Sequence, residues 1–271
     1  MASQDRFLCL GPPKYLEELY LKQFRAKYDI EILDSADRKA VQHDLPRKTA
    51  SPGPFNTLVV SMATHPYEPF DEDLLGALVP GCKIIASASF GYNEFDVNWM
   101  TTAGIWSTST RNAGAIENAN AFGLTVLYYN HHRLPIVYEF QYHATYCETL
   151  GNVLSTSDIM NVHCHLNAET TNLISKKEFV SNEEVHFVNT ARGPIVDEMT
   201  LTEALESEKF PSINPYFLAS KKCFVQRHLG CLTDAAFARA EMECLENIMS
   251  LFLTGRPVAS VDENMVQYKT Y

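Results

Sequence analysis

A single arginine stands where a short apolar strand ends, within the segment VNTARGPIVDE at residues 188–198. Arg192 is followed at once by Gly193-Pro194, a break that holds the arginine on rigid scaffold at the end of the strand. Its planar guanidinium fits a carboxylate better than a lysine would, so the pattern indicates an anion site. The simpler alternative is that Arg192 caps the strand or pairs with Asp197. The residues alone leave both interpretations open.

A second group that could do chemistry is HCH at residues 163–165, which raises the question of a metal site. Successive side chains of a strand point to opposite faces, so only His163 and His165 share a face. No carboxylate adjoins them to complete a ligand set. We therefore predict no metal at this position.

These residues need a scaffold, and the first part of the chain predicts one in which strands alternate with helices. Strands are predicted at 6–10, 29–33, 55–62, 83–89 and 105–109, and helices at 14–28, 36–42, 71–78 and 96–103. The helix that begins at Ala36 is expected to end near Pro46. This alternation predicts an α/β fold, with a parallel sheet covered by helices on both faces.

A second lobe is predicted from about Asn112. Its strands are expected at 124–129, 159–165 and 187–190, and its helices at 150–155, 176–179 and 199–208. A long amphipathic helix at 234–254, ended by Gly255, follows. Because residues 124–129 are apolar throughout, we expect a buried strand that has neighbours on both sides.

Composition limits the classes of function. With 271 residues, 46% of them hydrophobic, the chain can bury a full core in two lobes. A net charge of −11 argues against non-specific binding to nucleic acid or to an anionic membrane. The sequence contains no apolar run of about 18 residues, so it predicts no membrane span. The first six residues lack the pattern of a secretory signal, and the seven cysteines are scattered and odd in number. We therefore expect reduced thiols and a cytoplasmic protein.

Four segments, taken in order along the chain, resemble the D-2-hydroxyacid dehydrogenase family in its glyoxylate and hydroxypyruvate reductase branch. They are ASFGYNEFDV at 88–97, NVHCHLNAET at 161–170, the segment at 188–198 and RHLGCLT at 227–233. The resemblance covers nearly the whole chain. It implies a flavodoxin-like substrate domain, residues 1–112 with 234–271, and a truncated Rossmann-type NAD(P)-binding domain, residues 113–233.

The resemblance implies that the chain uses NADP or NAD as cofactor and reduces a small 2-oxo acid by hydride transfer from the reduced form, NADPH or NADH. Arg192 would hold the substrate carboxylate and polarise the ketone, and His228 would give a proton to the carbonyl oxygen. The backbone N–H groups around Ser89, Phe90 and Gly91 would also hold the carboxylate. On the cofactor side, His163, Thr190 and Ala191 would line the nicotinamide.

The residues after strand 124–129 bear on the choice between NAD and NADP. An acidic residue there normally accepts the ribose hydroxyls of NAD. This chain has Asn130, followed by His131, His132 and Arg133. Loss of the carboxylate and gain of cationic groups favour a 2′-phosphate, hence NADP over NAD. A solvated basic turn is the alternative.

The first departure from the family pattern is that the Gly-x-Gly-x-x-Gly loop, which cradles the pyrophosphate in the family, is missing from this sequence. In the family, one strand and one helix precede the strand at 124, and they form the first half of a βαβ unit of about 30 residues. This chain has only about ten residues between 110–112 and 122–124. Gly114-Ala115-Ile116 is a weak match to the end of that loop, with a shortened helix at 117–121. The long helix that makes much of the family's dimer contact is also missing, which argues against the implied homodimer.

The second departure follows residues 208–210. The family continues there with a strand carrying the glutamate that pairs with the catalytic histidine, whereas this chain runs directly through 211–217. Without that partner, His228 should titrate nearer the unperturbed ~6.5. Lost strands also leave unpaired edges, so we expect lower stability than in an intact relative. A catalytically impaired pseudoenzyme or a truncated product therefore stands as the alternative to an active reductase.

Overall fold

The protein is described from a computed structural model that covers residues 5–16, 18–62, 64–89, 91–109, 119–180, 185–206 and 233–261. The chain divides into two compact units. The first combines Met1–Arg111 with Cys231–Tyr271, and the second is Asn112–Gly230. The first unit is therefore built from two separate stretches of chain, and the second is inserted between them.

The strands are β1 Arg6–Leu10, β2 Asp29–Leu33, β3 Thr57–Val60, β4 Ile84–Ser87, β5 Trp106–Thr108, β6 Val126–Tyr128, β7 Ala144–Tyr146, β8 Ile159–Val162 and β9 His186–Asn189. The α-helices are α1 Glu18–Arg25, α2 Arg38–Ala50, α3 Glu72–Leu75, α4 Val97–Thr102, α5 Ile136–Gln141, α6 Leu150–Thr156, α7 Lys176–Val180, α8 Glu198–Glu206 and α9 Asp234–Thr254.

The first unit has one parallel sheet in the order β2-β1-β3-β4-β5. This is the strand order 2-1-3-4-5 of flavodoxin-like folds, so the predicted α/β class and the flavodoxin-like unit are confirmed. In such sheets, ligands bind beside the carboxyl ends of the strands. The loop after β4 therefore lies at the edge where a site is expected.

Side-chain caps define where several helices begin. An oxygen of the residue before each helix accepts a hydrogen bond from a backbone N–H in the first turn, at 2.9–3.1 Å. These caps are Asp37, Asp71, Asp96, Thr149 and Thr233. At the other end of α9, Gly255 takes φ 80°, a left-handed conformation that glycine adopts without strain.

Both faces of the sheet are covered. One cluster packs Val41 and Leu45 of α2 with Leu8 and Leu58 of the strands. The other face packs against α9, whose Ala240, Cys244 and Ile248 join Phe7 and Ile84. Helix α9 therefore closes the core of the first unit, although it comes from the far end of the chain.

Helix α9 also carries a buried carboxylate. Glu241 is only 2% exposed. Its two oxygens accept hydrogen bonds from the backbone N–H groups of Lys14, Tyr15 and Leu16 at 3.0–3.1 Å. The loop that follows β1 is thereby tied to α9 through one side chain.

The prediction that the second helix ends near Pro46 is wrong. Helix α2 runs from Arg38 to Ala50 with Pro46 inside it. A proline within a helix removes one hydrogen bond and costs about 3 kcal/mol. Val41 and Leu45 are fully buried just before the proline and anchor that turn in the core. Burial of these two side chains offsets the lost hydrogen bond, and the helix continues for one more turn.

The second unit contains two parallel pairs, β6 with β7 and β8 with β9. The expected buried strand at 124–129 is shorter and more exposed than predicted. Its ends, Leu124 and Tyr129, are 47% and 39% exposed, and the residues of β6 are only half-buried. Among the described residues β6 pairs with one strand alone, so one edge and part of each face remain uncovered.

Two elements between 130 and 149 were not predicted, namely α5 and β7. Helix α5 has consecutive apolar residues instead of a helical stripe, and Ile136, Val137 and Phe140 are 58%, 60% and 75% exposed. The best-packed part of the second unit lies elsewhere, in a cluster that includes Leu154, Phe179 and Ile195.

Candidate active site

The candidate residues that the structure describes lie in four places: the loops that follow β6, β8 and β9 in the second unit, and the loop that follows β4 in the first. Arg192 comes three residues after β9, where the sequence predicted a turn at a strand end. It directly precedes a 3-10 turn at Gly193–Ile195, whose first positions include Pro194. The turn is anchored by Ile195, which is fully buried.

Asn189 holds the loop that carries Arg192. Its Oδ1 accepts from the N–H of Ala191 at 2.9 Å, and its Nδ2 donates to the carbonyl of Arg192 at 2.9 Å. One amide side chain therefore holds two consecutive residues of the three-residue loop, Ala191 and Arg192. Thr190, within the loop, donates its hydroxyl to Asn161 Oδ1 at 3.2 Å, which ties the loop to β8.

Asp197, considered from the sequence as a partner of Arg192, caps α8. Its carboxylate accepts from the N–H groups of Met199 and Thr200 at 3.1 and 3.2 Å, and from the Thr200 hydroxyl at 2.7 Å. Hydrogen bonds from Thr200 are the main cause of the lowered pKa of Asp197. The carboxylate is thus engaged at the start of the helix that follows the Arg192 loop.

His163 and His165 lie beyond the end of β8, because that strand ends at Val162 and not at His165 as predicted. Burial lowers the pKa of His163. Burial also lowers the pKa of His165, and the positive charge of Arg192 lowers it further. Both imidazoles therefore favour the neutral form, and His165 lies within the electrostatic influence of Arg192.

In the first unit, Ser89 and Gly91 follow β4 at the carboxyl edge of the sheet. The N–H of Ser89 donates to Ser87 Oγ at 3.1 Å, and the hydroxyls of these two serines are 2.8 Å apart. Ser89 Oγ donates to the carbonyl of Gly91 at 2.6 Å. The two serines form a compact hydroxyl pair at the position where the sequence predicted a carboxylate site, and the Ser89 N–H has an internal partner in this arrangement.

The loop after β6 carries the predicted cofactor residues Asn130, His131 and Arg133. Asn130 Oδ1 accepts from the N–H of His131 at 3.0 Å, which stabilises the turn. Arg133 makes a two-point contact with Glu139 of α5, with Nε to Oε1 at 2.7 Å and Nη2 to Oε2 at 2.8 Å. The arginine predicted to meet a phosphate thus already has a carboxylate on one of its edges.

Two predicted catalytic-site residues, Phe90 and His228, lie outside the described residues, as does the shortened loop at 114–116. Conversely, sequence reasoning missed Asn189 and Glu139. An asparagine at a strand end before a turn is a signal for the loop-bridging role that Asn189 has. Glu139 offered no such signal, because its pairing depends on how α5 folds back on the loop.

A shallow depression of about 320 Å³ lies beside α5 and β7. Its lining consists of Ile136, Glu139, Phe140, His143, Ala144 and Thr145, so it includes none of the predicted site residues. Within the described residues, no group of three His, Cys, Asp or Glu side chains could hold a metal ion. No helix in that part of the chain has the length and apolar character of a membrane span.

Comparison with known proteins identifies relatives along almost the whole chain. The family described as "D-isomer specific 2-hydroxyacid dehydrogenase, NAD binding domain" matches residues 95–213. The dehydrogenase efuE of Hormonema carpetanum is 37% identical over 332 aligned positions, which cover 97% of this chain and 83% of the relative.

Two solved structures show the same fold. A glyoxylate reductase from Paecilomyes thermophila has a TM-score of 0.77 at 22% identity, with 97% of this chain and 99% of that chain covered. An NADPH-dependent glyoxylate/hydroxypyruvate reductase from Sinorhizobium meliloti, in complex with NADP and malonate, has a TM-score of 0.67 at 16% identity, with 96% and 98% covered.

The alignment with the Hormonema protein also measures what this chain lacks. Since 332 positions are aligned and the chain has 271 residues, at least 61 of those positions have no residue of this chain opposite them. This agrees with the internal deletions expected from the missing glycine loop and the missing strand.

Proposed function

This chain belongs to the family of D-isomer specific 2-hydroxyacid dehydrogenases, and from that premise we propose that it reduces a small 2-oxo acid of the glyoxylate and hydroxypyruvate class. The observation that carries the proposal is the Arg192 loop directly after β9, in which Asn189 holds Ala191 and Arg192 by two hydrogen bonds. A guanidinium held at a strand end suits two-point binding of a carboxylate.

Arg192 has two roles in this proposal. Its planar fork binds the substrate carboxylate, and its charge polarises the neighbouring ketone oxygen as negative charge develops there. The link from Thr190 to Asn161 limits movement of the loop during this step. A lysine could supply the charge but not the two-point geometry.

By the resemblance, the loop after β4 is a carboxylate-binding segment. Ser89 and Gly91 are at the carboxyl edge of the parallel sheet, where ligands bind in folds of this class. Ser87 Oγ accepts from the Ser89 N–H and is 2.8 Å from the Ser89 hydroxyl, so a change of the Ser87 χ1 rotamer would break both contacts. Rotation would release the Ser89 N–H to a bound carboxylate, in line with the family's use of this segment; Phe90 belongs to the same proposal.

Proton transfer is assigned to His228 by the resemblance alone. An imidazolium there would donate to the ketone oxygen as the alcohol forms. Because the family's glutamate partner has no counterpart in this sequence, we propose that His228 is a weak acid at neutral pH. The expected consequence is slow turnover that speeds up as pH falls towards ~6.5.

The donor set of the second unit fits a nicotinamide cofactor in part. The loops after β6, β8 and β9 all follow parallel strands, and they present Asn130, His131, Arg133, His163, Thr190 and Ala191. When bound, the cofactor supplies hydride to the ketone carbon. His163, Thr190 and Ala191 would line its nicotinamide end. Asn130, His131 and Arg133 would meet the adenosine ribose, with NADP preferred because no carboxylate occupies position 130.

The deletions favour a second candidate, a non-catalytic relative that binds a ligand or a partner. At least 61 aligned positions of the Hormonema protein have no counterpart here. Within the described residues, β6 and β8 each pair on one side only. A cofactor lobe reduced in this way can keep its folded loops and still lose the pyrophosphate site.

We further propose a cytoplasmic location, because the described cysteines are free thiols, three of them buried: Cys9, Cys82 and Cys244. The homodimer implied by the family is expected to be weak, since the helix that makes much of its contact is missing. Sedimentation at several protein concentrations measures this association directly.

The proposed function is tested by titrating the folded chain with NADPH and, separately, with NADH while following nicotinamide fluorescence, then by assaying glyoxylate and hydroxypyruvate. Saturable binding and turnover support a reductase. In the same assays Arg192→Lys should reduce kcat/KM at least about tenfold, because the two-point contact is lost. Arg239→Lys is the matched control, since Arg239 pairs with Glu243 on the surface of α9. A folded chain that binds neither NADPH nor NADH would exclude the reductase and leave the non-catalytic relative.

A further inference from the structure

Arg133 uses only one of its two hydrogen-bonding edges on Glu139. The Nε–Nη2 edge meets both carboxylate oxygens, at 2.7 and 2.8 Å. The adjacent edge, formed by Nη1 and the second N–H of Nη2, is not part of this pairing. With 56% of its side chain exposed, Arg133 can accept a second anion on that edge.

Glu139 is held far more firmly than the partner of an ordinary surface arginine. Its side chain is 7% exposed. The hydroxyl of Tyr128 donates to Oε1 at 2.7 Å, and the N–H of Leu134 donates to that hydroxyl at 2.9 Å. The hydrogen bonds from Arg133 and Tyr128 lower the pKa of Glu139 to about 2, so the carboxylate stays charged at any physiological pH.

The aromatic rings of β6 and β7 complete the support. The guanidinium carbon of Arg133 lies 5.4 Å from the ring centre of Tyr146. Tyr146 in turn contacts Tyr128, with ring centres 5.3 Å apart. Arg133 is therefore fixed from two sides, by a carboxylate on α5 and by an aromatic ring on β7.

A purely structural role for the Arg133–Glu139 ion pair would explain why α5 contacts the loop. It would not explain why the pair is located directly after β6. The pair stands just after β6, where doubly wound folds read the adenosine ribose. Asn130 and His131 precede it with no carboxylate between them and the strand. In a chain of net charge −11, this short segment gathers cationic or partly cationic side chains.

We propose that Glu139, anchored by Tyr128, is a positioning residue that fixes Arg133 so that its Nη1–Nη2 edge binds the 2′-phosphate of an adenosine ribose. The inference deepens the proposed function and rests on it for the identity of the cofactor. A fixed guanidinium loses less side-chain entropy on binding than a mobile one. Glu139 would thus strengthen phosphate binding, although it is itself negatively charged.

Because Glu139 is negatively charged, a purely electrostatic role and a positioning role predict opposite changes in phosphate binding when it is replaced by Gln. If Glu139 acted only through its charge, Glu139→Gln would remove a repulsion and tighten phosphate binding. If Glu139 positions Arg133, the same change should weaken binding of adenosine 2′,5′-bisphosphate at least about threefold. Binding of 5′-AMP, which lacks the 2′-phosphate, should change by less than about 1.5-fold in either case. Calorimetric titration of the full chain with both nucleotides measures these ratios.

Two further variants keep the test decisive if Glu139→Gln fails to fold. Tyr128→Phe retains both charges and removes one hydrogen bond of the carboxylate, and should weaken the bisphosphate about twofold. Arg133→Lys should weaken it about tenfold and leave 5′-AMP unchanged. Glu243→Gln is the charge-matched control, because Glu243 accepts from Arg239 Nε at 2.9 Å in the other unit. This control should leave both nucleotides unaffected.

The outcomes separate this inference from the proposed function. Tighter or unchanged bisphosphate binding by folded Glu139→Gln would overturn the positioning role. Turnover with NADH by a chain that does not bind the bisphosphate would overturn the 2′-phosphate assignment and leave the reductase standing. Bisphosphate binding that depends on Glu139, without any turnover, would retain the nucleotide site and overturn the reductase.

Discussion

The Glu241 contact gives the sharpest stability prediction. The carboxylate, 2% exposed, accepts three backbone hydrogen bonds from residues 14–16. In Glu241→Gln only one oxygen remains, so at most two N–H groups keep an acceptor and the third faces an amide NH₂. Hydrogen bonds to a charged group contribute about 1.5–3 kcal/mol and neutral ones about 1, and an unsatisfied buried N–H costs about 1–3 kcal/mol.

The expected loss is about 2–3 kcal/mol, a value towards the low end because the hydrogen bond from the Lys14 N–H is only part-buried. For a unit of this size that corresponds to a fall in Tm of roughly 5–10 °C. Both tryptophans of the chain, Trp99 and Trp106, belong to the first unit. Urea unfolding followed by tryptophan fluorescence therefore reports on the unit that contains Glu241.

Asp73→Asn is the matched control for this prediction. Asp73 lies 3.3 Å from Arg38 and its side chain is 77% exposed, so its ion pair should contribute under about 1 kcal/mol. A Glu241→Gln chain that is no less stable than Asp73→Asn would refute the argument from buried hydrogen bonds. Faster hydrogen exchange at residues 14–16 in Glu241→Gln alone would support it.

Three other predictions concern the second unit. Asn189→Ala should free the Arg192 loop by removing two hydrogen bonds, lowering kcat/KM about tenfold with little change in Tm; unchanged kinetics would contradict the loop's role. Because the pKa of Glu139 falls from 4.5 to about 2 on folding, its contribution is present above pH 4.5 and lost as pH falls towards 2. Circular dichroism should show acid destabilisation in that window, and the destabilisation should be smaller in Glu139→Gln, where other carboxyls with a lowered pKa, such as Asp71 and Asp197, still titrate. Phe140, 75% exposed, should promote self-association, so Phe140→Glu should reduce light scattering without loss of stability.

The first unit could be predicted well from sequence because its elements carry strong local signals. Strands β1 and β2 have the predicted bounds, 6–10 and 29–33, and Asp71 and Asp96 cap helices where helices were expected. The error at Pro46 arose because local propensity was weighed without the burial of Leu45. Tertiary packing decided that helix end.

The second unit was harder to predict, since deletion breaks the agreement between local pattern and global fold. The apolar run 124–129 has the pattern of a central strand, yet β6 spans three residues and is half-buried. Helix α5 has exposed apolar residues that no amphipathic pattern indicates. At the candidate site, Arg192 was readable because a strand, a turn and an arginine are consecutive, whereas the support from Glu139 depends on side-chain geometry.

Because the second unit is inserted in the sequence of the first, the first unit begins to be synthesised before the second but can complete its fold only after the second has been synthesised. The sheet of the first unit leaves the ribosome long before α9, which covers one of its faces. At about 5–20 residues per second, the roughly 120 intervening residues keep that face open for about 6–25 s. The length of the inserted unit has only a small effect on the entropic cost of bringing α9 back to the sheet. Even if all 61 or more missing positions fell within it, closing 119 residues instead of about 180 changes the loop entropy by only about 0.4 kcal/mol.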